Sequence, residues 1–231
     1  MIATKKGKST NGNGVDHEEP AKKGSVLEEK LTINAPNMRV LPLKIRGTAP
    51  YVQHKFSAKA QAQIRAKQAE GSVAGKGKKR DARDFAAEFD GCMHTSVAGW
   101  HGIPAGAFRA ALVSACRTVG FKMTLAKLSL FVVADGFDSD GTPLVRLTKG
   151  KPRQVEHPVR LDSGVVSLAV RAMWDEGWEA ELRIKFDADQ FSATDVANLL
   201  MRVGEQVGVG EGRADSRDST GMGWGSFEIV S

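Results

Sequence analysis

Cysteine is scarce: Cys92 and Cys116 are the only two in 231 residues, too few and too unpatterned for a disulfide scaffold. A reducing cytoplasm is the expected compartment. Long apolar runs are missing as well. The longest, at 128–134, is strand-sized and far short of the roughly 20 residues that a membrane helix requires, so no membrane partner is expected. Neither G-x-x-x-x-G-K-[ST] nor a strand running into G-x-G-x-x-G occurs, which sets nucleotide hydrolysis and dinucleotide binding aside. After Lys5, Lys6 and Lys8 come glycine, asparagine and acidic residues instead of an apolar signal core. Residues 1–37 therefore read as a disordered tail.

What is present is a basic chain, 41% apolar, long enough to bury a core in one domain over 38–231. Its 33 Lys and Arg against 27 Asp and Glu leave a formal net charge of +6, which favours acidic partners. The excess is local. From Lys55 to Arg83 nine basic residues face only Glu70 and Asp81. Within that stretch Lys76, Lys78, Lys79 and Arg80 lie in a glycine-spaced segment that suits a flexible arm along a phosphate backbone or a solubilising linker.

The most distinctive feature lies near the C-terminus. A helical run at 192–207 opens into Gly208, Gly210, Gly212, Arg213, Arg217, Gly221, Gly223 and Gly225. Glycine reaches positive φ cheaply and leaves main-chain N–H groups uncovered, while arginine supplies a planar fork of donors that matches phosphate. That chemistry suits an anionic polymer.

Periodicity supplies the order of elements. Residues 38–47 alternate as a half-buried strand, placing Lys44 and Arg46 on one face. Pro104, Phe108, Leu112 and Val113 mark a helix that ends at Gly120, and 128–134 reads as its companion strand. Residues 143–147 read as a short strand and 149–160 as an irregular basic excursion. Two alternating runs, 165–174 and 178–186, are joined by Asp175, Glu176 and Gly177 and predict a β-hairpin. Ser192 is the expected N-cap of the last helix, with Val196, Leu199, Leu200 and Val203 on its apolar face, and 225–230 the final strand. Strand, helix, strand, strand, helix, strand is the α+β, ferredoxin-like βαββαβ order, interrupted by insertions at 48–103 and 135–164.

Ile103, Pro104, Ala105 and Gly106, running into Phe108, Arg109, Ala110 and Ala111, resemble the "I-P-x-S-x-x-K-G" helix start of the CRISPR-associated RAMP superfamily. Gly221, Met222, Gly223, Trp224 and Gly225 before 227–230 resemble its C-terminal glycine-rich loop and strand. Gly106 and Arg109 stand where the motif has serine and lysine. The chain is also similar to uncharacterised proteins of tailed phages and prophages. The resemblance implies an RRM-like core and a backbone-type subunit that polymerises along RNA, with Arg109, Gly221, Gly223 and Trp224 of the matched motifs among its nucleic-acid-binding residues, and the chemistry of the glycine-rich loop adds Gly212, Arg213 and Arg217.

The expected function is thus non-catalytic binding of single-stranded nucleic acid, RNA favoured over DNA, by a homo-oligomer without cofactor. Lys44, Arg46, His54, Lys55 and the 76–80 cluster complete the candidate set. Two alternatives stand beside it: a metal-independent RNA endonuclease using His54, and a phage assembly factor that binds no nucleic acid. Metal-dependent RAMP nucleases keep an acidic residue after the first strand, and 47–56 contains none. Trp174 and Trp178 could stack on bases but are expected to pack on each other, which leaves Trp224 as the better stacking candidate. Cys92, His94 and His101 lack a zinc-site spacing. Asp138, Asp140 and Gly141 read as a turn.

Overall fold

A computed structural model describes residues 33–56, 62, 66, 83–160, 164, 166–216 and 221–230. The chain divides into two units, Met1–Ala35 and Pro36–Ser231, and everything below concerns the second. The disordered-tail expectation falls largely outside the described residues.

The elements run β1 (Met38–Gly47), β2 (Tyr51–Gln53), α1 (Phe85–Gly91), β3 (Gly102–Pro104), α2 (Ala105–Ala115), α3 (Met123–Ser129), β4 (Leu130–Val133), β5 (Gly136–Phe137), β6 (Pro143–Lys149), β7 (Pro152–Arg160), β8 (Val166–Trp174), β9 (Glu179–Asp187), α4 (Ala193–Arg202) and β10 (Phe227–Val230). This is a mixed α+β fold with an open antiparallel sheet. β1 pairs with β10 on one side and with β9 on the other, and β9 in turn pairs with β4 and with β6. A smaller sheet has the order β2-β8-β7.

Local chemistry explains the helices. Ser192 accepts from the Asp195 N–H while Asp195 reaches back to the Ser192 N–H, a reciprocal cap that satisfies two otherwise orphaned donors. Val196, Leu199, Leu200 and the following Val203 are buried. Pro104 ends β3 in extended backbone and α2 begins one residue later. α2 continues as a 3₁₀ turn to Gly120, which closes it in the left-handed region at φ 69°. Both helices lie on one sheet face, where Phe108, Leu112, Val196 and Leu200 share a core with Ile45, Leu182, Ile184 and Phe227. The alternate residues of β1, including Lys44 and Arg46, are exposed on the opposite face.

The expected hairpin of 165–174 with 178–186 does not form. β8 pairs with β7 from Arg160↔Val166 to Pro152↔Trp174, whereas β9 pairs with β1 from Met38↔Asp187 to Arg46↔Glu179. The tight turn is present, with Gly177 at φ 88°, but it carries the chain from one sheet to the other. Trp174 and Trp178 are both fully buried, and Tyr51 lies 5.5 and 5.6 Å from their rings. They pack into the junction between the sheets, which removes them as base-stacking candidates. A Cβ on Gly47 would overlap the Trp178 indole, so only glycine fits where β1 leaves the large sheet. The "irregular excursion" at 149–160 is likewise a nine-residue strand, β7.

Candidate nucleic-acid interface

Two segments far apart in sequence, the first turns of α2 and the glycine-rich loop, face each other across a groove of roughly 470 Å³ lined by Gly106, Arg109, Ser114, Lys127, Gly210 and Arg213 among others. The first turn of α2 has no acidic residue and no side-chain cap. Its first-turn N–H groups therefore have no side-chain acceptor, and the helix dipole makes this end positive.

Arg109 is half-buried. It donates from Nε to the Leu130 carbonyl at 3.0 Å and from Nη2 to the Lys127 carbonyl, and its guanidinium lies 5.1 Å from the Phe131 ring centre. It thus ties α2 to the end of α3 while lining the groove. Arg213 donates to the Gly210 carbonyl at 3.0 Å, which braces the loop. Lys127 is exposed, and its ammonium makes no ion pair among the described residues. On the far wall Asp215 accepts from the Ser114 hydroxyl and, at 2.6 Å, from Arg117. These bonds hold the Asp215 carboxyl below its usual range and pin the loop to α2.

All six loop glycines sit at positive φ, between 69° and 84°. They divide by what surrounds them. A Cβ on Gly210 would crowd Tyr51 and the Val52 carbonyl, one on Gly212 the Trp224 ring, and one on Gly225 the Val209 backbone, whereas at Gly221 and Gly223 a Cβ would meet open space. The expectation of uncovered loop N–H groups needs correction: those of Gly208, Val209, Glu211, Asp215, Trp224 and Gly225 all donate to backbone carbonyls. Most of the glycines serve close internal packing, whereas Gly221 and Gly223 have open space beside them. Trp224 is half-buried between Gly212 and the His157 ring, 5.2 Å away, an anchor for the loop instead of a free stacking platform.

The other candidates are scattered. Lys44 and Arg46 lie on the exposed face of β1, where Arg46 pairs with Glu179 at 3.3 Å. Lys55 is turned inward, with its ammonium 2.7 Å from Asp138 and 3.4 Å from Asp140, so it is not available to phosphate. Its neighbour His54 lies 4.0 Å from Glu211, which pairs with Arg171 at 2.5 Å. Burial first, and then the Arg171 charge, lower the His54 pKa despite Glu211, so the imidazole is neutral at pH 7. Lys76, Lys78, Lys79, Arg80 and Arg217 fall outside the described residues. Sequence reading missed Lys127 and Asp215. The position of Lys127 in the last turn of α3 was the available clue, while the pairing of Asp215 with Arg117 spans about a hundred residues and leaves no local trace.

Asp138, Asp140 and Gly141 do form a turn, with the Gly141 N–H donating to the Asp138 carbonyl at 2.9 Å, but Asp138 does more. Burial pushes its carboxyl upward, yet hydrogen bonds from Lys55, His94 and the Ser139 N–H outweigh that and hold it below the usual carboxylate range. Hydrogen bonds from Thr142 bring Asp140 down to about 2. A carboxyl depressed by folding adds stability above its unfolded pKa and loses it as pH falls through the folded value. Asp138→Asn should cost about 3 kcal/mol at pH 7, in the range for breaking a buried pair. The difference from wild type should shrink below about pH 4. Urea titrations at pH 7 and pH 3 measure it, and a pH-independent difference would refute the ionic account.

Among the described residues no helix is long and apolar enough to cross a membrane, and no cluster of His, Cys, Asp or Glu is placed to hold a metal. Compared with models of known protein families and with curated proteins, the chain matches none.

Proposed function

We propose that this protein binds single-stranded nucleic acid, RNA in preference to DNA, in the groove between α2 and the glycine-rich loop, and does not cleave it. The observation that carries the reading is the convergence at one groove of Lys127, Arg109, Arg213 and the first-turn residues of a helix that has no side-chain cap. Backbone N–H groups and a helix dipole suit phosphate, and Arg109 and Arg213 each keep positive charge and N–H groups beyond those they give to backbone carbonyls.

The strand order β10-β1-β9-β4, with α2 between β1 and β4 and α4 between β9 and β10, supports the finer reading of a ferredoxin-like, RRM-like βαββαβ core. On that reading β2, β3 and β5 to β8 belong to the two insertions or extend from them. The resemblance to RAMP backbone subunits and to phage proteins favours RNA and assembly of several copies along it. Negative-stain images of the complex should then show filaments.

The direct test is salt. If four to six phosphates are neutralised, log K should fall against log salt with a slope of roughly −3 to −4 for a single strand. An affinity indifferent to salt would sink the proposal. The position of His54 beside Glu211 and Arg171 favours metal-independent RNA cleavage as a second reading, since a neutral imidazole can act as a general base. We expect RNA to stay whole on prolonged incubation with or without divalent metal. Cleavage that vanishes in His54→Ala would put the second reading first.

A further inference from the structure

The open face of the large sheet, opposite the helices, carries a second depression of roughly 320 Å³ lined by Trp100, Asp135, Arg146, Thr148, Glu181 and Arg183. Its back wall is fixed. The Trp100 N–H donates to the Ser96 hydroxyl at 3.2 Å and the Trp100 carbonyl accepts from the Ser96 N–H at 2.8 Å. Its indole lies on the backbones of β3 and β5: a Cβ at Gly102 would come within 3.0 Å of the ring, and one at Gly136 within 2.8 Å. Side chains at those two positions would lift the ring off the sheet. The glycines let it lie close, held before any ligand arrives.

The charges on the floor fall into two groups. Asp135 is satisfied, accepting from Arg183 at 2.8 Å and from the Arg146 N–H at 2.9 Å, and Arg183 also donates to the Ala134 carbonyl. The Arg146 guanidinium and the Glu181 carboxylate are different. Leu147 pairs with Ala180, so Arg146 and Glu181 project from neighbouring positions, yet neither enters an ion pair among the described residues. The exposed Arg146 guanidinium lies over the Trp100 ring, 5.9 Å from its centre, and has to swing to the edge of the ring before a flat group can stack there. Two arginines against two carboxylates leave the pocket neutral, which disfavours a phosphate. What remains is a flat aromatic wall with one forked donor and one paired acceptor.

We propose that this pocket takes one unstacked nucleobase, guanine, by stacking on Trp100 between Arg146 and Glu181. Of the common bases, guanine alone offers two adjacent acceptors, O6 and N7, to a guanidinium and two adjacent donors, N1–H and N2–H, to a carboxylate. The pocket thus adds base selectivity to a chain whose groove contacts backbone, and its place in function rests on the single-strand reading above.

Fluorescence anisotropy with labelled octauridylate, and with the same octamer carrying one central guanosine, tests it. Wild type should bind the guanosine octamer roughly tenfold more tightly, within the discrimination of a good bidentate base contact, and a central adenosine should give no such gain. Glu181→Gln is exposed and nearly isosteric, so it should fold normally, bind octauridylate as wild type does and lose the gain. Trp100→Leu should lose it too. Equal affinity for the two octamers in wild type, or a gain that survives Glu181→Gln, overturns the proposal while leaving the groove standing. If octauridylate does not bind at all, the groove reading fails separately. The pocket is then judged on guanosine 5′-monophosphate by ligand-observed NMR: binding abolished by Glu181→Gln supports it, and no binding overturns it.

Discussion

Gly225→Ala should destabilise the protein by more than about 3 kcal/mol, enough to unfold a marginal domain. Two effects add. Gly225 sits at φ 71°, where an L residue is strained by about 1–2 kcal/mol. Its new methyl would also overlap the Val209 backbone, whose N–H donates to the Gly225 carbonyl at 3.1 Å, and backbone cannot rotate aside as a side chain can. Gly223 provides the control, since it has the same φ of 71° but open space where a Cβ would stand. Gly223→Ala should cost only the strain term. Urea denaturation of the two variants reads the difference, and equal losses would show that conformation alone, without close approach, requires the glycines.

The double reversal Lys127→Glu with Arg213→Glu should weaken single-strand binding roughly a hundredfold or more at moderate salt. Each cation offers a charge-assisted hydrogen bond worth about 1.5–3 kcal/mol, and reversal adds repulsion from the phosphates. Because Arg213 also braces Gly210, stability has to be measured alongside, and the exposed Lys127→Glu alone supplies a variant without that complication. The loss should diminish as salt rises, since counterions screen the same charges. A folded double variant that binds like wild type would move the interface away from this groove. Gly223→Val extends the test to shape: a folded variant with reduced affinity marks the loop as a surface that the strand must approach closely.

Much of this molecule follows from short-range chemistry that sequence states directly. The Ser192 and Asp195 cap, the apolar stripe of α4, the end of α2 at Gly120 and the exposed pair Lys44 and Arg46 each depend on residues within a turn or two of one another. The six loop glycines also read correctly as positions of positive φ. Their purpose did not. Whether a glycine admits a partner or admits the chain's own backbone depends on what lies across from it, and for Gly210 and Gly225 that is Val52 and Val209.

Strand partnership was likewise beyond the sequence. A period of two tells which face of a strand is buried but not which strand lies beside it, so that β8 and β9, only four residues apart in sequence, belong to different sheets shows only in their pairing with β7 and β1. The same holds for charges. Lys55 and Arg109 look like surface cations in one dimension. Tertiary structure places one against Asp138 and the other on the carbonyls at the end of α3, because a cation's partner is fixed by distance in space. Trp100, Arg146 and Glu181 show the converse: they lie on three segments, none notable by itself, and become a pocket only where the sheet sets them side by side.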